Sequence, residues 1–459
     1  MKRVVKFITL GCKVNQYETN AMAQKFLEKG YKVIEEYEQN GEKPDVCIIN
    51  TCTVTNMSDR KSRQMLRREK ENNKNVIVVA VGCYAQVAKN ELNKIPEIDL
   101  VLGNNEKVDI VKYVEDYINE NENNIEIEDV MQSRLFSDFG DITFTEKTRA
   151  VVKIQDGCDR FCSYCIIPYA RGRVRSRKPE SIISEITKIA EKDIKEVVIT
   201  GIHIASYGKD FKEEYKLIDL LEEINKIDGI ERIRLGSIEP LLITDEFVER
   251  LKKIDKICHH FHLSLQSGCD ETLKRMNRRY TTEQFKEIVK RLRNTYSDVN
   301  LTTDIIVGFP GETEEEFEKT YRFLDEIKFY KMHIFKYSKR QGTKAAKMSD
   351  QIDEQIKTKR SNELLALEKK MSKEFRDAHI GKEDEALLEE QVQIDGVDYY
   401  VGFTKEYVKV AVRSEKDLSN CMVRGRIEGA LNENVYLMTA YSWILIPDIL
   451  KWEYQLCER

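Results

Sequence analysis

Short apolar runs alternate with amphipathic or charged segments over the first 110 residues. Apolar runs bounded by turn residues indicate β-strands, and longer segments with helical periodicity indicate helices. A regular alternation of the two is typical of a parallel sheet covered by helices. The pattern therefore predicts an α/β amino-terminal domain. Its predicted strands are Val4–Leu10, Asp45–Asn50, Asn75–Gly82 and Leu100–Gly103, and its predicted helices are Gln16–Lys29 and Ser58–Glu71.

A second series of strand candidates begins near residue 149, and a helical segment follows most of them. Six such repeats predict a partial (β/α)6 barrel, an incomplete version of the β/α barrel. Chemistry in such barrels takes place in the loops at the carboxyl ends of the strands. The six predicted strands are Ala150–Gln155, Glu196–Thr200, Arg232–Gly236, His260–Gln266, Asn300–Val307 and Lys331–Tyr337. A long amphipathic helix is predicted over Ser349–His379.

The last part of the chain changes to a pattern of short strands separated by turns. This pattern predicts a small all-β barrel, a shape that often holds nucleic acid. The predicted strands are Ala386–Gln393, Val397–Thr404, Tyr407–Val412, Met422–Glu428 and Asn434–Thr439.

An acidic segment separates the first two patterns. Residues 111–146 carry ten acidic and two basic side chains, a net charge of −8, together with a cluster of asparagines. Self-repelling composition of this kind is typical of a connector between domains. The predicted organisation is an amino-terminal domain (1–115), an acidic linker (116–146), a barrel core (147–376), a small β domain (377–445) and a carboxyl-terminal tail (446–459).

Composition narrows the class of protein. A chain of 459 residues with 41% hydrophobic side chains is long enough for about three domains. Its longest apolar run, Val76–Val81, is far shorter than the roughly 20 residues that cross a bilayer. The first residues, Met1-Lys2-Arg3, indicate a segment that leads into a first β-strand and not a signal peptide. We therefore expect a cytoplasmic protein without a membrane partner. Its eleven cysteines then favour metal or redox chemistry over disulfides.

The strongest chemical signal is Cys158-Asp-Arg-Phe-Cys162-Ser-Tyr-Cys165, which directly follows the first predicted barrel strand. Three thiolates can hold three irons of a 4Fe–4S cluster and leave the fourth iron open for a small molecule. A zinc site with a distant fourth ligand is the alternative. It is less favoured because three clustered cysteines in a barrel mouth form a poor closed tetrahedron.

This CxxxCxxC motif, with Tyr164 before its last cysteine and on a partial β/α barrel, resembles the radical S-adenosylmethionine (SAM) enzymes. The resemblance implies that the open iron chelates SAM and that one electron cleaves its sulfonium to give a 5′-deoxyadenosyl radical. It also implies that Tyr164 packs near the adenine. Further cofactor contacts are implied for Gly201, Ser264, Gln266 and Gly308. Gly201 could equally serve a tight turn, and Ser264 and Gln266 could cap strand ends.

Three more cysteines lie at strand ends of the amino-terminal domain. They are Cys12 in Thr-Leu-Gly-Cys-Lys-Val-Asn, Cys52 in Asn-Thr-Cys-Thr-Val-Thr and Cys83 in Val-Gly-Cys-Tyr. Carboxyl ends of parallel strands share one edge, so these cysteines can converge. A single one would be read as a buried thiol. Three cysteines in equivalent positions favour a second metal cluster.

Two cysteine trios followed by a β domain resemble the methylthiotransferases over nearly the whole chain. That family carries an auxiliary cluster, a radical core and a carboxyl-terminal TRAM domain, and it replaces a C–H bond with C–S–CH3. The resemblance implies two 4Fe–4S clusters, ligated by Cys12, Cys52 and Cys83 and by Cys158, Cys162 and Cys165. It implies SAM both as methyl donor and as radical source.

The sequences around Cys12 and Cys52 are similar to those of one branch of this family, which acts on carbon 2 of threonylcarbamoyl-adenosine at position 37 of tRNA. Three alternatives stay open at this point. The substrate could be isopentenyl-adenosine in tRNA or a ribosomal protein side chain, or the chain could be a non-catalytic iron–sulfur or zinc protein that binds RNA.

Local charge supports an RNA partner although the whole chain has a net charge of −5. Residues 149–178 carry eight basic and two acidic side chains, and such a group can neutralise phosphates. The candidates in this segment are Arg171, Arg173, Arg175 and Arg177, and Lys405 and Arg424 are candidates in the β domain. The expected partners are the anticodon loop of tRNA and a low-potential electron donor such as a flavodoxin or ferredoxin. We expect a monomer.

The remaining cysteines and histidines suggest no metal site beyond the two clusters. Cys258, His260 and His262 share one face of a predicted strand, but ligands so close on one strand cannot easily surround a metal. Four other cysteines have no partner spacing and are interpreted as packing or surface residues: Cys47, Cys269, Cys421 and Cys457.

Overall fold

A computed structural model describes residues 2–34, 43–120, 125–144 and 148–444. The chain divides into two compact units, Met1–Met371 and Ser372–Arg459. The predicted tail, including Cys457, lies outside the described residues, as do 121–124 and 145–147 of the predicted linker region. In the described part of the chain, no helix combines the length and the apolar character that crossing a membrane requires.

The amino-terminal sheet has five parallel strands in the order β2-β1-β3-β4-β5, which confirms the predicted α/β fold. The strands are β1 (Val4–Thr9), β2 (Lys32–Ile34), β3 (Val46–Thr51), β4 (Ile77–Gly82) and β5 (Leu100–Val101). The helices are α1 (Lys13–Glu28), α2 (Asn56–Asn72), α3 (Cys83–Val87), α4 (Lys89–Leu92) and α5 (Ile110–Glu120).

Strand β3 shows why this sheet needs helices on both faces. Val46 and Ile48 pack with α1 and α5 on one face, whereas Cys47 and Ile49 pack with α2 on the other. All four side chains are buried. Burial of one such aliphatic side chain contributes about 1.5–3 kcal/mol, so a strand without polar alternation is stable only at the centre of a doubly covered sheet.

The second part of the first unit is a partial barrel. Its strands are β6 (Arg149–Asp156), β7 (Arg175–Ser176), β8 (Glu196–Gly201), β9 (Arg232–Leu235), β10 (Ser237–Ile238), β11 (His260–Leu263), β12 (Asn300–Val307) and β13 (Lys331–Lys336). Six of them, β6, β8, β9, β11, β12 and β13, are the predicted barrel strands. They form parallel pairs within two neighbouring sheets, β7-β6-β8-β9 and β10-β11-β12-β13. A parallel bridge between Ile233 and Ile257 extends the first sheet toward β11.

Helices cover one face of these strands. They are α6 (Ile167–Arg171), α7 (Pro179–Ala190), α8 (Leu217–Ile224), α9 (Asp245–Leu251), α10 (Asp270–Arg275), α11 (Thr282–Thr295), α12 (Glu314–Ile327) and α13 (Glu354–Asp377). Alternate residues of the strands, such as Phe261, Leu301 and Met332, belong to the core that these helices share. The residues between them point to the opposite, inner face of the partial barrel.

Helix α1 of the amino-terminal domain packs on β6. Lys153 of β6 points away from the helix-covered core and forms an ion pair with Glu18 of α1, at 2.7 Å between Nζ and Oε1. The first helix of the chain therefore lies against the inner face of the barrel at this strand.

The second unit is a closed five-stranded barrel with the strand order β14-β15-β16-β18-β17. Its strands are β14 (Glu383–Ile394), β15 (Val397–Thr404), β16 (Lys409–Val412), β17 (Met422–Ala430) and β18 (Tyr436–Ile444). The predicted small all-β barrel is confirmed.

Candidate functional site

The amino-terminal trio, Cys12, Cys52 and Cys83, lies at the carboxyl edge of the first sheet, after β1, β3 and β4. Gly11 has φ +113°, and a Cβ on it would lie 3.1 Å from the Cys52 Sγ, so only glycine permits this approach. Burial raises the pKa of the Cys12 and Cys52 thiols, and the neighbouring thiols of the trio raise it further. The three cysteines thus lie at one edge of the sheet, near enough for their thiols to act on one another.

The barrel trio, Cys158, Cys162 and Cys165, lies in the loop after β6. The Cys158 N–H donates to the Gly172 carbonyl at 3.0 Å and the Ser163 N–H donates to the Met276 carbonyl at 3.0 Å. Burial raises the pKa of Cys158 to about 11 and that of Cys165 to about 12, and Cys162 adds to both. Protons would therefore leave these thiols only as a metal centre binds.

In each trio, one sulfur is contacted by an arginine, and the two arginines differ. Arg171 Nε lies 3.1 Å from the Cys83 Sγ, and Arg278 Nη1 lies 3.5 Å from the Cys162 Sγ. Arg278 is fixed by Glu239 at 2.9 Å. A guanidinium beside a sulfur stabilises the thiolate form that binds metal. Arg278 could not be predicted from the sequence, because 116 residues separate it from Cys162 and no motif spacing connects them.

Arg171 is also the centre of a buried charge network at the junction of sheet and barrel. Glu18 accepts from Lys107 at 2.5 Å, from Lys153 at 2.7 Å and from Arg171. Asp156 pairs with Lys153 at 2.6 Å and with Arg171 at 3.3 Å. Although burial opposes ionisation, the surrounding cations hold the pKa of Asp156 at about 2.

The prediction that Arg171, Arg175 and Arg177 contact RNA phosphates is wrong. Their exposed fractions are 0, 1 and 1%, so a phosphate cannot reach them. Arg175 donates to the Arg171 carbonyl at 2.8 Å, and Arg177 pairs with Glu185 at 2.8 Å. These side chains donate to acceptors inside the protein. A count of charges along the sequence cannot distinguish such buried arginines from arginines on a binding surface.

Arg173 is exposed, in contrast to its three neighbours. Its guanidinium lies over the Phe161 ring at 4.9 Å and 3.3 Å from Asp159. It therefore stays a candidate for RNA contact beside the barrel trio. In the second unit, Arg424 is exposed, whereas Lys405 is half-buried.

The predicted cofactor contacts lie at the carboxyl ends of the barrel strands. Tyr164 packs edge-on against Phe309, with ring centroids 6.4 Å apart. A Cβ on Gly201 would lie 2.9 Å from the Gln155 carbonyl oxygen, and one on Gly308, where φ is +69°, would lie 2.2 Å from the Lys357 side chain. Close packing already requires both glycines, whether or not a cofactor is bound.

Ser264 and Gln266 lie beyond the end of β11, which ends at Leu263. The predicted strand His260–Gln266 therefore ends three residues early, and the backbone at Gln266 is left-handed, with φ +74°. The Ser264 carbonyl accepts from Arg278 at 2.8 Å, so this turn contacts the arginine that reaches Cys162.

Two family models match the chain: the Radical SAM superfamily over residues 152–324, and the family described as uncharacterized protein family UPF0004 over residues 4–103. A threonylcarbamoyladenosine tRNA methylthiotransferase, MtaB, from Bacillus subtilis (strain 168) is 42% identical over 92% of this chain and 93% of its own. A tRNA-2-methylthio-N(6)-dimethylallyladenosine synthase from Thermoanaerobacter sp. (strain X514) is 38% identical over 83% of this chain and 81% of its own.

Among solved structures, the radical SAM methyltransferase TsrM from Kitasatospora setae superposes with a TM-score of 0.54 at 15% identity, over 73% of each chain. The partial barrel with its cysteine loop makes this chain a radical SAM enzyme. With relatives this similar over nearly its whole length, the chain belongs to the radical SAM tRNA methylthiotransferase family.

Proposed function

We propose that this enzyme methylthiolates carbon 2 of threonylcarbamoyl-adenosine at position 37 of tRNA. The observation that carries the proposal is that one compact unit holds two separate cysteine trios, with Arg171 in contact with Cys83 of one trio and at the end of the helix that follows the other. The similarity to MtaB supports the choice of substrate. The target C–H bond has no acidic proton, so a reaction by acid–base chemistry alone is excluded.

The six thiols fit two 4Fe–4S clusters. Each trio offers three sulfurs and thus leaves one iron of its cluster without a protein ligand. In the proposal, Cys12, Cys52 and Cys83 hold the auxiliary cluster, and Cys158, Cys162 and Cys165 hold the radical cluster. With SAM bound, these groups supply radical formation, sulfur and a methyl group. Arg171 and Arg278 would offset negative charge at the sulfurs that they contact.

The roles of the cofactor-contact residues follow from their positions. Tyr164, together with Gly201, Ser264, Gln266 and Gly308, would surround SAM at the carboxyl ends of the strands. The supporting observation is that Tyr164 packs with Phe309, which directly follows Gly308. These residues would orient the cofactor and exclude water from it.

The same proposal includes the partners. The anticodon loop of tRNA would contact Arg173 near the barrel trio, and Arg424 and Lys405 on the β-barrel. A flavodoxin or ferredoxin would supply electrons to a monomeric enzyme in the cytoplasm. The half-exposed Cys158 supports a route for electrons from the surface to the radical cluster.

The decisive experiment compares Cys162→Ala with Cys52→Ala after anaerobic reconstitution. Cys162→Ala should abolish formation of 5′-deoxyadenosine, because a ligand of the radical cluster is lost. Cys52→Ala should still cleave SAM but should form no methylthiolated nucleoside. The buried Cys47→Ala, whose sulfur belongs to the core between β3 and α2, is the matched control and should retain both activities.

The readout is mass spectrometry of tRNA nucleosides together with chromatography of 5′-deoxyadenosine. Full methylthiolation by Cys52→Ala would contradict the two-cluster proposal. Methylthiolation of isopentenyl-adenosine instead of threonylcarbamoyl-adenosine by the wild type would contradict the proposed substrate.

A further inference from the structure

A polar group on the inner face of the barrel is not used by the function described so far. It consists of His262 on β11, Asp304 on β12 and His333 on β13, which we call the inner triad. Within the described residues, one ligand-type atom from each side chain lies within 4.8 Å of the other two. In the sequence, His262 is close to Cys258 and His260, which cannot easily surround a metal with it. The triad arises instead across strands, because Asp304 and His333 are register partners.

The orientation of His262 is fixed by its neighbours. Its Nδ1 lies 3.0 Å from the Thr302 hydroxyl, and its Nε2 lies 3.2 Å from Asp304 Oδ2. The His262 and His333 rings are 5.8 Å apart. His333 is exposed and the side chain of Asp304 is 28% exposed, so a ligand can reach the triad from the open interior of the barrel.

Along strand β12, the triad lies two residues before a residue that packs with a predicted cofactor contact. Ile306, two residues beyond Asp304, packs in the same cluster as Tyr164 and Phe309. Its register partner is Phe335, which shares the inner face with His333 and is 44% exposed. An exposed aromatic ring on a concave polar face suits the stacking of a nucleobase. A base at Phe335 would have the triad beside it.

Charge around the triad favours an anionic ligand over a metal cation. Burial lowers the pKa of His333, and besides Asp304, which opposes this shift, His262, Lys331 and Lys13 lower it further. Burial likewise lowers the pKa of His260, and Arg234 and Lys13 add to that effect. Positive charge thus faces the triad from its own strand and from α1, and it would repel a divalent ion.

We propose that the inner triad is the subsite for a polar substituent of the target base that combines a carboxylate with ureido N–H groups, as the threonylcarbamoyl group does. The Asp304 carboxylate would accept from the ureido N–H. His333, with Lys331 and Lys13 beside it, would bind the carboxylate, and His262, which contacts Thr302 and Asp304, would hold Asp304 in place. The inference rests on the proposed function and specifies how that site selects its substrate.

An apolar substituent at this position would deprive Asp304 and His333 of the hydrogen bonds that the ureido and carboxylate groups would make, in a partly desolvated site. Sites that hydrogen-bond a substrate group reject analogues without it far more strongly than apolar pockets reject an extra group. The triad would therefore select threonylcarbamoyl-adenosine over isopentenyl-adenosine and over unmodified adenosine.

The test uses reconstituted holoenzyme and two tRNA preparations, one with threonylcarbamoyl-adenosine and one with unmodified adenosine at position 37. The variants are Asp304→Asn and His333→Leu, and the measured quantity is methylthiolated nucleoside formed per 5′-deoxyadenosine. On the modified tRNA this ratio should fall about tenfold or more. The preference for modified over unmodified tRNA should shrink by a similar factor, which a merely structural role would not produce.

His259→Leu is the matched control, because His259 directly precedes β11 and packs against Tyr296, with ring centroids 4.6 Å apart. It should retain wild-type ratios. Retained preference in both triad variants would overturn the inference while leaving the proposed function intact. A stoichiometric divalent metal that is lost in Asp304→Asn would overturn it in favour of a metal site. Failure of the wild type to methylthiolate either tRNA would reject the proposed function, and the inference with it.

Discussion

Replacement of Glu18 by glutamine tests whether the buried charge network holds the amino-terminal sheet and the barrel together. The change keeps the shape of the side chain and removes one negative charge. Glu18 is 2% exposed and accepts from Lys107, Lys153 and Arg171. Asp156 still compensates Lys153 and Arg171, but in the described part of the chain Lys107 has no other carboxylate partner.

The expected loss of stability follows from this imbalance. Removal of one partner from a buried ion pair costs about 3–5 kcal/mol, a large part of the roughly 5–15 kcal/mol that stabilises a typical protein. Lys107 is fully buried, and burial already lowers its pKa, an effect that Glu18 opposes. Without Glu18 the pKa of Lys107 would fall further, which limits the cost.

The assay is urea denaturation of the full-length chain at neutral pH, followed by circular dichroism of the transition of the first unit. Glu318→Gln is the matched control, because Glu318 forms an exposed pair with Arg322 at 3.4 Å and such pairs contribute little. Lys107→Met in the Glu18→Gln background should recover part of the loss, since the unpaired charge is gone. A loss in Glu18→Gln no larger than in the control would refute the reasoning.

Two further predictions concern Asp156 and Arg173. The pKa of Asp156 is lowered from 3.8 to about 2, so its stabilising contribution is present above about pH 4 and is lost as the pH falls toward 2. The urea midpoint of the wild-type chain should therefore fall with pH in this acid range, and the midpoint of Asp156→Asn should fall less. Equal pH dependence of the two midpoints would contradict the prediction. Arg173→Ala should weaken tRNA binding and reduce its salt slope by about one, whereas Lys178→Ala, an exposed cation of the same segment, should change less; filter binding at several salt concentrations distinguishes the two.

The fold and the cysteine trios could be predicted because their signals are local. Cys158, Cys162 and Cys165 lie within eight consecutive residues, and each predicted strand has its own apolar run. The short strands β2, β7 and β10 are not among those predicted. The burial of Arg171 could not be predicted, because its partners lie on α1 and β6 and only the folded chain brings them to it. The triad was missed for the same reason, since strand register and not sequence spacing pairs Asp304 with His333.

The arginine that was misread as an RNA contact explains how the two trios are kept in a fixed relation. The chain leaves the barrel trio at Cys165, enters α6 and ends that helix at Arg171. The Arg171 side chain then reaches Cys83 of the other trio and Glu18 of α1. Helix α1 begins directly after Cys12, so this one contact joins the chain segments of both trios. A reaction that needs two metal centres at one nucleoside requires this kind of rigidity, and a buried guanidinium with several acceptors provides it.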